Sequence, residues 1–374
     1  MSNESIDLFL LDRGRTYFNH ASFGTPSRAL LDQAQELRRS FEADTAGMPD
    51  RLAPGLRSAA SRIEASLGLT GGQAAITLNS TEANSALAAS WPLGPSRRVA
   101  LLSLEYSSVV VAWQLACARA GASALVIDLP LPTTRQAVLA RLERLPSDIG
   151  VLVLSAISST AALSLPLAEA SALCAERGID LIVDAAHVVG HGPTDFSLPP
   201  CAALFASAHK WLPGPRPVGF LWVADQLADR VKPALVALRR DTATLAERFS
   251  WRGTWDPTPA LMVEPALAAV AGWRADGLLD RAVATADASA AALTGLGLVP
   301  TGDPTLQTPR LRAFVVPDTT PAVLERALGE AGVAAWVGTD PTGPTILRLS
   351  THIYNDAADV RRLTDAVAGA VRRI

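Results

Sequence analysis

Residues 202–224 read AALFASAHKWLPGPRPVGFLWVA, and this stretch indicates both the fold and the place to look for chemistry. Its first eight residues form an apolar run, which predicts a buried strand that ends in Ser207, His209 and Lys210. A turn rich in Gly and Pro follows, and then a second apolar run. A lysine is ordinarily a solvated surface residue. Here Trp211 and the turn would restrict water around Lys210, and a desolvated lysine can lose its proton and form a Schiff base with a carbonyl group.

The same alternation continues outward from this stretch. Between about residues 60 and 225, apolar runs alternate with Ala-rich helical segments, which predicts an α/β fold with a mainly parallel sheet that helices cover on both faces. The predicted strands are 97–104, 122–129, 149–155, 179–186, 202–209 and 218–224. Open sheets of this kind bind ligands beyond the carboxyl ends of their strands, so polar residues at those ends are the candidates for a functional site.

The pattern changes after residue 260. An Ala-rich helix is predicted over 260–294, two strands over 310–316 and 345–350, and two helices that begin at Pro321 and Asn355. This mixture predicts a second, smaller α+β domain.

Composition and charge exclude several classes of protein. A chain of 374 residues is long enough for two or three domains, and its 49% hydrophobic and 18% charged residues predict a packed globule. A net charge of −3 gives no basic field that would hold nucleic acid. Cys117, Cys174 and Cys201 show no CxxC spacing, so neither a metal site nor a redox site is expected.

Neither secretion nor a membrane partner is expected. The first residues, MSNESIDLFLLDRGR, lack the basic-then-apolar order of a secretory signal, which favours the cytoplasm. Residues 149–168 carry no charge and have the length of a membrane span. Several hydroxyl groups and Pro166 in their second half instead favour a buried strand that runs into a polar loop.

Three further polar sets lie where the predicted strands end. Asp184 directly follows an apolar run and precedes His187 by three residues. A buried carboxylate needs a cationic partner, and a pyridinium nitrogen is one, although a helix N-cap or a structural salt bridge would also explain Asp184. Ser80 and Thr81 begin an Ala-rich helix, whose N-terminus is either a phosphate cradle or an ordinary cap. Tyr106 follows the next strand and is either a stacking partner for a flat ring or a packed rim residue.

Taken together, these residues resemble the fold-type I pyridoxal-phosphate enzymes of aminotransferase class V. The similarity is greatest to the isopenicillin N epimerase-like branch, which includes C–S lyases of ergothioneine biosynthesis and enzymes that process cysteine S-conjugates in lincosamide pathways. The motifs that carry it are FNHASFG (18–24), LEYSS (104–108), VDAAH (183–187), SAHKW (207–211), WRGTWD (251–256) and LRLSTHIYN (347–355). The resemblance implies a PLP-dependent transferase fold with three parts: an N-terminal segment 1–20 packed with the small domain, a large PLP-binding domain 21–256, and a small domain 257–374.

The resemblance also implies pyridoxal 5'-phosphate (PLP) as the cofactor. Lys210 would form the Schiff base with it, Asp184 would pair with its pyridinium nitrogen, and Tyr106 would stack on its ring. His187 and Ser158 would lie near its phenolic oxygen. The expected catalytic residues are thus Lys210, Asp184 and His187.

Phosphate and substrate contacts follow from the same resemblance. The expected phosphate ligands are Ser80, Thr81, Ser207, His209 and, from a second subunit, Thr254, which implies a homodimer with shared active sites. Arg348 would bind the α-carboxylate of an amino-acid substrate with its planar fork, near Asn19 and Phe23. The turn departs from the family's GPRGVG pattern at Pro217.

The reaction type is the least constrained expectation. Cleavage of the C–S bond of a cysteine S-conjugate by β-elimination, in secondary metabolism, is favoured because it needs only Lys210 as a base. The alternatives are decarboxylation coupled to oxidative deamination, epimerisation and transamination. A cysteine desulfurase would need a cysteine in the C-terminal domain, and no cysteine follows Cys201. The presence of Lys210, Asp184 and Arg348 argues against a binding-only protein, and no GxGxxG motif supports a dehydrogenase.

Overall fold

The structure is a computed structural model that describes residues 4–192, 196, 198–241, 244–339 and 343–371. The strands are β1 (Thr16–Tyr17), β2 (Gly72–Thr77), β3 (Arg98–Leu102), β4 (Ala124–Ile127), β5 (Ile149–Ser155), β6 (Asp180–Asp184), β7 (Ala203–Ser207), β8 (Gly219–Ala224), β9 (Val299–Pro300), β10 (Leu311–Val316), β11 (Val333–Ala334), β12 (Trp336–Thr339) and β13 (Thr345–Ser350). The helices are α1 (His20–Phe23), α2 (Arg28–Ala43), α3 (Met48–Ser66), α4 (Ser80–Ser90), α5 (Ser107–Arg119), α6 (Arg135–Glu143), α7 (Leu167–Arg177), α8 (Asp225–Ala228), α9 (Leu245–Ser250), α10 (Thr258–Leu261), α11 (Val263–Ala275), α12 (Leu278–Gly295), α13 (Pro321–Glu330) and α14 (Ala357–Val371).

A seven-stranded sheet forms the centre of the large domain, in the order β2-β8-β7-β6-β5-β3-β4. Four of the strand pairs are parallel, and β8 runs antiparallel to both of its neighbours. The predicted α/β fold is therefore confirmed, and each predicted strand of the large domain is present. The apolar pattern does not predict β2, because its sequence, GQAAIT, consists mostly of small residues.

Burial on both faces explains why these strands are continuously apolar. All seven residues of β5 are buried. Leu152 and Leu154 pack into the cluster that contains residues of α3 and α11, whereas Val151 and Val153 pack on the opposite side with residues of α4 and α5. The apolar run of β5 ends at Ser155, its first polar side chain, which is still buried.

The small domain is built on a four-stranded antiparallel sheet in the order β12-β13-β10-β9. Residues of α12, α13 and α14 pack on it around Phe314, Leu347 and Leu363. The chain's N-terminal part joins this domain, because β1 pairs with β11 and Phe18 lies in the same apolar cluster.

The predicted domain boundary at residue 257 comes directly before helices that pack on the large domain. The predicted helix over 260–294 is three helices, and the first two, α10 and α11, pack on α3 of the large domain. The change of domain occurs along α12, where Leu279 lies in the large-domain core and Leu293 in the small-domain core. Segment 1–20 likewise contacts both domains, since Phe9 packs against Trp273 in the large-domain core. Sequence patterns miss this because α10, α11 and α12 share one Ala-rich composition.

The uncharged stretch 149–168 forms β5, a loop and the start of α7, as the hydroxyl-rich composition predicts. Among the described residues, none of the helices combines the length and the apolar character of a membrane span.

Candidate active site

A cleft of about 420 Å³ opens where the strands of the large sheet end. Ser155, Asp184 and Ser207, the last residues of β5, β6 and β7, lie on its floor. Trp336 and Arg348 of the small domain form the facing wall. The cleft therefore lies where open α/β sheets bind their ligands.

Lys210 lies in the short turn that follows β7, and its Nζ is 3.2 Å from Nε2 of His187. Burial lowers the pKa of Lys210 to about 8, against the attraction of Asp184, and the charge of Arg348 lowers it further. The amine is therefore present in its neutral form at near-neutral pH far more often than that of a surface lysine. The chain contains only one other lysine, Lys232.

The N-terminal motif FNHASFG closes over this lysine. Gly24 has a φ of +66°, and a Cβ atom there would lie 2.0 Å from the carbonyl oxygen of His209. Arg216 donates hydrogen bonds to the carbonyl oxygens of Phe23 and Gly24, at 3.1 and 2.9 Å. The motif needs its glycine because only a residue without a side chain lets the two backbones approach so closely.

Asp184 is a buried carboxyl group at the end of β6, and its Oδ1 accepts a hydrogen bond from the backbone N–H of Ala186 at 2.8 Å. Burial raises the pKa of Asp184 to about 6, and the attraction of Lys210 opposes that rise. A ligand cation next to Asp184 would stabilise the ionised form of this carboxyl group, because a buried carboxylate is costly when it has no cationic partner.

His187 lies between the catalytic lysine candidate and the facing wall. Its Nε2 is 3.2 Å from Nζ of Lys210 and 3.4 Å from Oγ of Ser159, whereas its Nδ1 has no hydrogen-bond partner among the described residues. Burial lowers the pKa of His187 well below its usual value, and the charges of Lys210 and Arg348 act in the same direction. The ring is therefore neutral at neutral pH.

A second set of polar groups surrounds the N-terminus of α4. Oγ of Ser207 lies 2.9 Å from Oγ of Ser80 and accepts a hydrogen bond from the backbone N–H of Ser80 at 3.3 Å. Thr81 and His209 line the cleft beside them, and Val218 contacts Nδ1 of His209, so Nε2 of that ring remains for a ligand. Hydroxyl groups at the start of an 11-residue helix suit a phosphate group.

Arg348 is the buried cation of the facing wall. Its Nη1 donates to the carbonyl oxygen of Ser159 at 2.7 Å, and its Nη2 donates to Oγ of Ser22 at 2.9 Å and to Oδ1 of Asn19 at 3.4 Å. Trp336, its partner across β12 and β13, holds its ring 5.0 Å from the guanidinium carbon. Within the described residues these acceptors are all uncharged. Such a cation is suited to a ligand carboxylate.

Ser158 does not have the predicted place beside the cofactor. It is fully buried outside the cleft lining, where its hydroxyl accepts a hydrogen bond from the backbone N–H of Leu163 at 3.1 Å. Its neighbour Ser159 lines the cleft and contacts both His187 and Arg348. The position of Ser158 therefore gives its predicted role no support, and sequence patterns do not distinguish the two serines because the loop after β5 has no periodic signal.

The other predicted residues fall into two groups. Asn19, Phe23 and Tyr106 line the cleft, and the last two are 71% and 50% exposed at its mouth. Thr254 is exposed and lies outside the described lining of the cleft in one chain. Residues that the motifs do not single out also line it, namely Ser22, Asn79, Ser155, Ser159, Thr160 and Trp336. Ser22 lies inside FNHASFG, which was the available signal, whereas Trp336 lies on a strand that the pattern does not predict.

Comparison with known proteins identifies the family. Residues 58–363 match the family described as Aminotransferase class-V. The chain belongs to this family. Its members depend on PLP, so the predicted family and cofactor are confirmed, and the protein is a PLP-dependent enzyme that acts on an amino acid.

Individual class V relatives differ in name and in how much of the chain they match. Isopenicillin N epimerase of Streptomyces clavuligerus is 27% identical over 388 aligned positions, which cover 97% of each chain. A cysteine desulfurase of Escherichia coli (strain K12 / DH10B) is 31% identical over 183 positions, which cover 46% of this chain and 43% of the relative. Among solved structures, the apo cysteine desulfurase of Thermococcus onnurineus NA1 matches with a TM-score of 0.84 at 14% identity, with all of both chains covered. The cysteine desulfurase CsdA of Escherichia coli matches with a TM-score of 0.80 at 20% identity, over 100% of this chain and 99% of that one.

The cleft of this class V protein fits the cofactor. PLP brings an aldehyde, a ring nitrogen that becomes cationic, a phenolic oxygen and a phosphate. The described residues offer a buried amine, a buried carboxyl group whose only cationic neighbour is that amine, an unpartnered imidazole nitrogen and a helix N-terminus beside the paired hydroxyl groups of Ser80 and Ser207. Each group of the cofactor therefore has a chemically matched counterpart.

Proposed function

We propose that this enzyme cleaves the C–S bond of a cysteine S-conjugate by β-elimination, with Lys210 as the base. The single observation that supports the proposal is the pairing, across one cleft, of an amine of lowered pKa with Arg348, a buried cation whose hydrogen-bond acceptors among the described residues are uncharged oxygens. The first group can move a proton at Cα, and the second can bind an α-carboxylate.

In this proposal PLP is held by the residues that match its groups. Lys210 would hold the aldehyde group, Asp184 the ring nitrogen, Tyr106 the face of the ring, and His187 the phenolic oxygen. The phosphate contacts are Ser80, Thr81, Ser207 and His209. When bound, the cofactor withdraws electrons from Cα of the substrate, so that a proton is lost from Cα and a good leaving group from Cβ.

In this proposal the residues of the facing wall bind the substrate. The carboxylate of the amino acid replaces uncharged oxygens as a partner of Arg348, and this pairing relieves the cost of a buried cation. Ser22 and Asn19 hold one side of the guanidinium and Ser159 holds the other, so its plane is fixed before the substrate arrives. Phe23 lies at the mouth, where the group attached to sulfur would emerge.

The base requirements favour elimination. Once the amino group of the substrate has displaced it from the cofactor, Lys210 would be free to take the proton from Cα, while the thiolate leaves Cβ and is protonated to the thiol. The net reaction converts the conjugate and water into thiol, pyruvate and ammonia. One base is sufficient for this reaction. His187 is neutral and within 3.2 Å of Lys210, so it can accept a hydrogen bond from that amine without competing for charge.

Sulfur transfer to an enzyme thiol is disfavoured, although cysteine desulfurases are among the relatives. None of the three cysteines is among the described residues that line the cleft. Burial raises the pKa of Cys174 and of Cys201 to about 12, so both remain protonated thiols. All three are free, which is consistent with the reducing cytoplasm as the place of action.

Epimerisation is the second candidate, because isopenicillin N epimerase of Streptomyces clavuligerus matches over 97% of the chain. An epimerase needs an acid on the face of Cα opposite the base. Tyr106 is the titratable residue at the mouth of the cleft that would have to serve. Inversion would be visible as exchange of the α-proton with solvent deuterium without loss of sulfur.

The proposal includes a homodimer. Thr254 is exposed in the single chain, and so are Val111 and Leu115 on one face of α5. Exposed apolar residues on a helix next to the cleft suit a subunit interface. Light scattering of the purified protein is expected to give twice the mass of the 39.2 kDa chain.

The decisive experiment is a product analysis of the holoenzyme with a panel of S-substituted cysteines. Elimination is expected to release thiol, pyruvate and ammonia in equal amounts, without carbon dioxide. Carbon dioxide with an aldehyde would indicate decarboxylation, and inversion at Cα with the sulfur retained would indicate the epimerase; either result contradicts the lyase proposal. Thiol without pyruvate would also contradict it.

A further inference from the structure

Glu105 is a buried carboxyl group that the proposed chemistry does not use. It follows β3 and is 5% exposed. One carboxyl oxygen, Oε1, accepts a hydrogen bond from the backbone N–H of Ser155 at 2.9 Å, and the other, Oε2, lies 2.5 Å from Oγ of Ser155. Both oxygens of the side chain are thus engaged by one residue, and that residue lines the cleft.

The topology places this pair beside Asp184. β5 lies between β3 and β6 in the sheet, and Ser155 of β5 is the register partner of Asp184 of β6. Glu105, Ser155 and Asp184 therefore form a row across three adjoining strand ends. Ser155 and Asp184 face the cleft, and Glu105 stands behind Ser155.

Two neighbouring buried carboxyl groups are rarely both ionised, because their negative charges repel each other. Burial raises the pKa of Glu105 to about 8 although the two hydrogen bonds with Ser155 lower it, and the charge of Asp184 makes a smaller contribution in the same direction as burial. The pKa of Asp184 is raised less, to about 6, because Lys210 attracts its charge. Among the described residues, Asp184 is the titratable group whose charge acts on Glu105, and Ser155 contributes hydrogen bonds only. Asp184 therefore ionises first, and Glu105 is mainly protonated at pH 7.

A protonated Glu105 changes what Ser155 can do. Oε1 keeps the bond from the backbone N–H of Ser155, and the O–H on Oε2 donates to the serine Oγ, for which 2.5 Å is at the short end of the usual range. The hydroxyl proton of Ser155 is then free to face the cleft. We propose that Glu105 is a positioning residue for the cofactor: as an uncharged acid it fixes Ser155 beside the ring-nitrogen end of the site and leaves Asp184 as the one negative charge there. This inference rests on the proposed pairing of Asp184 with the ring nitrogen.

The test compares three variants by equilibrium dialysis of the holoenzyme against graded PLP and by its absorption spectrum between pH 6 and 9.5. Glu105→Gln keeps the shape and both contacts to Ser155, so it is expected to bind PLP within about twofold of wild type. Glu105→Leu removes both contacts, and its dissociation constant for PLP is expected to rise at least about fivefold. The wild-type spectrum is expected to change with a midpoint near pH 8 that Glu105→Gln lacks. Glu143→Gln, on the exposed face of α6, is the matched control and is expected to behave as wild type.

Three outcomes would overturn the inference: Glu105→Gln loses PLP as readily as Glu105→Leu, Glu105→Leu binds PLP as wild type does, or Glu105→Gln keeps the transition near pH 8. If Glu105→Leu does not fold, the pH profile of Glu105→Gln decides alone. Asp184→Ala separates this inference from the proposed function. If Asp184→Ala binds PLP as wild type does, the assignment of Asp184 fails; if only the Glu105 variants are without effect, the role of Glu105 alone fails.

Discussion

At the cofactor end of the cleft, Asp184, Ser207 and Lys210 come from adjoining strands of one sheet, whereas at the substrate end Ser22, Ser159 and Arg348 come from three distant parts of the chain. The cofactor end pairs its polar groups with one another and with backbone. The substrate end contains a buried cation whose partners are uncharged oxygens. The cofactor end is thus largely paired internally, apart from Nδ1 of His187, whereas the buried cation of the substrate end has no charged hydrogen-bond partner among the described residues.

This contrast explains why cofactor and reaction differ in how readily they are inferred. The cofactor end belongs to the shared architecture of the family and follows from strand ends in sequence order. The substrate end depends on how the N-terminal segment and the small domain meet the large sheet. Variants at the two ends are therefore expected to have different effects. Those at the cofactor end should lose cofactor chemistry, and those at the substrate end should lose affinity for the substrate.

The largest effect is expected at the cofactor end. Lys210→Ala removes the amine and the base together and is expected to lower kcat by at least about 10³-fold. Lys232→Ala is the matched control, because Lys232 is the only other lysine, lies 3.4 Å from Asp241 and is not among the described residues that line the cleft. After borohydride treatment of the wild-type holoenzyme, peptide mass mapping is expected to find the pyridoxyl group on Lys210. Its recovery on Lys232 would refute the assignment.

The next largest effect is expected at the substrate end. Arg348→Lys keeps the positive charge but cannot reach Ser159 and Ser22 at once, as the planar guanidinium does. The variant is expected to raise KM by about tenfold to a hundredfold, equivalent to roughly 1.5–3 kcal/mol, with little change in kcat. The spectrum of bound PLP should stay as in wild type. Arg361→Lys, exposed on α14, is the control. A loss of the cofactor spectrum in Arg348→Lys would show that the two ends are not independent.

Particular residues show how much of each end of the cleft could be predicted from the sequence. SAHKW and VDAAH lie at the ends of apolar strands, so Lys210 and Asp184 were predictable by the strand-end rule together with the family resemblance. Ser159 was not, because the loop after β5 has no periodicity that distinguishes it from Ser158. Trp336 lies on β12, a short strand whose four residues include none that is fully buried, and such a strand produces no apolar run. The helices around the predicted domain boundary are difficult to assign to a domain for the opposite reason, since one uniform Ala-rich pattern spans helices that pack in both domains.

The stability of the folded protein is expected to fall in acid because of a buried histidine, His352. His352 is fully buried, its ring stacks on that of His20 at 3.9 Å, and both of its nitrogens lack hydrogen-bond partners among the described residues. Burial lowers the pKa of His352 well below 6.5, and the nearby His20 and Arg310 act in the same direction. The unfolded chain therefore binds a proton near pH 6.5 that the folded chain does not, and the free energy of unfolding falls as the pH drops below that value.

His352→Phe keeps an aromatic ring and removes this titration. Relative to wild type, its free energy of unfolding is expected to rise by up to about 2 kcal/mol between pH 7.5 and pH 5. Thermal or urea unfolding of both proteins at the two pH values measures the change. A constant difference between them at both pH values would show that His352 does not carry the acid sensitivity.

The smallest effects are expected from two neighbouring serines, Ser158 and Ser159, one of which is expected to affect stability and the other kcat/KM. Ser159→Ala removes the hydroxyl that lies 3.2 Å from Nη1 of Arg348 and 3.4 Å from Nε2 of His187, but the backbone carbonyl bond to Arg348 remains. Its kcat/KM is expected to fall about fivefold, equivalent to roughly 1 kcal/mol, with stability unchanged. Ser158→Ala leaves the buried N–H of Leu163 without its acceptor, so it is expected to lower the free energy of unfolding by about 1–2 kcal/mol with kcat/KM unchanged. Steady-state kinetics and urea unfolding of both variants measure the pair. Adjacent residues of a loop point in different directions, so only one of the two hydroxyls can face the cleft. A kinetic loss in Ser158→Ala instead of Ser159→Ala would therefore support the role that the resemblance predicts for Ser158.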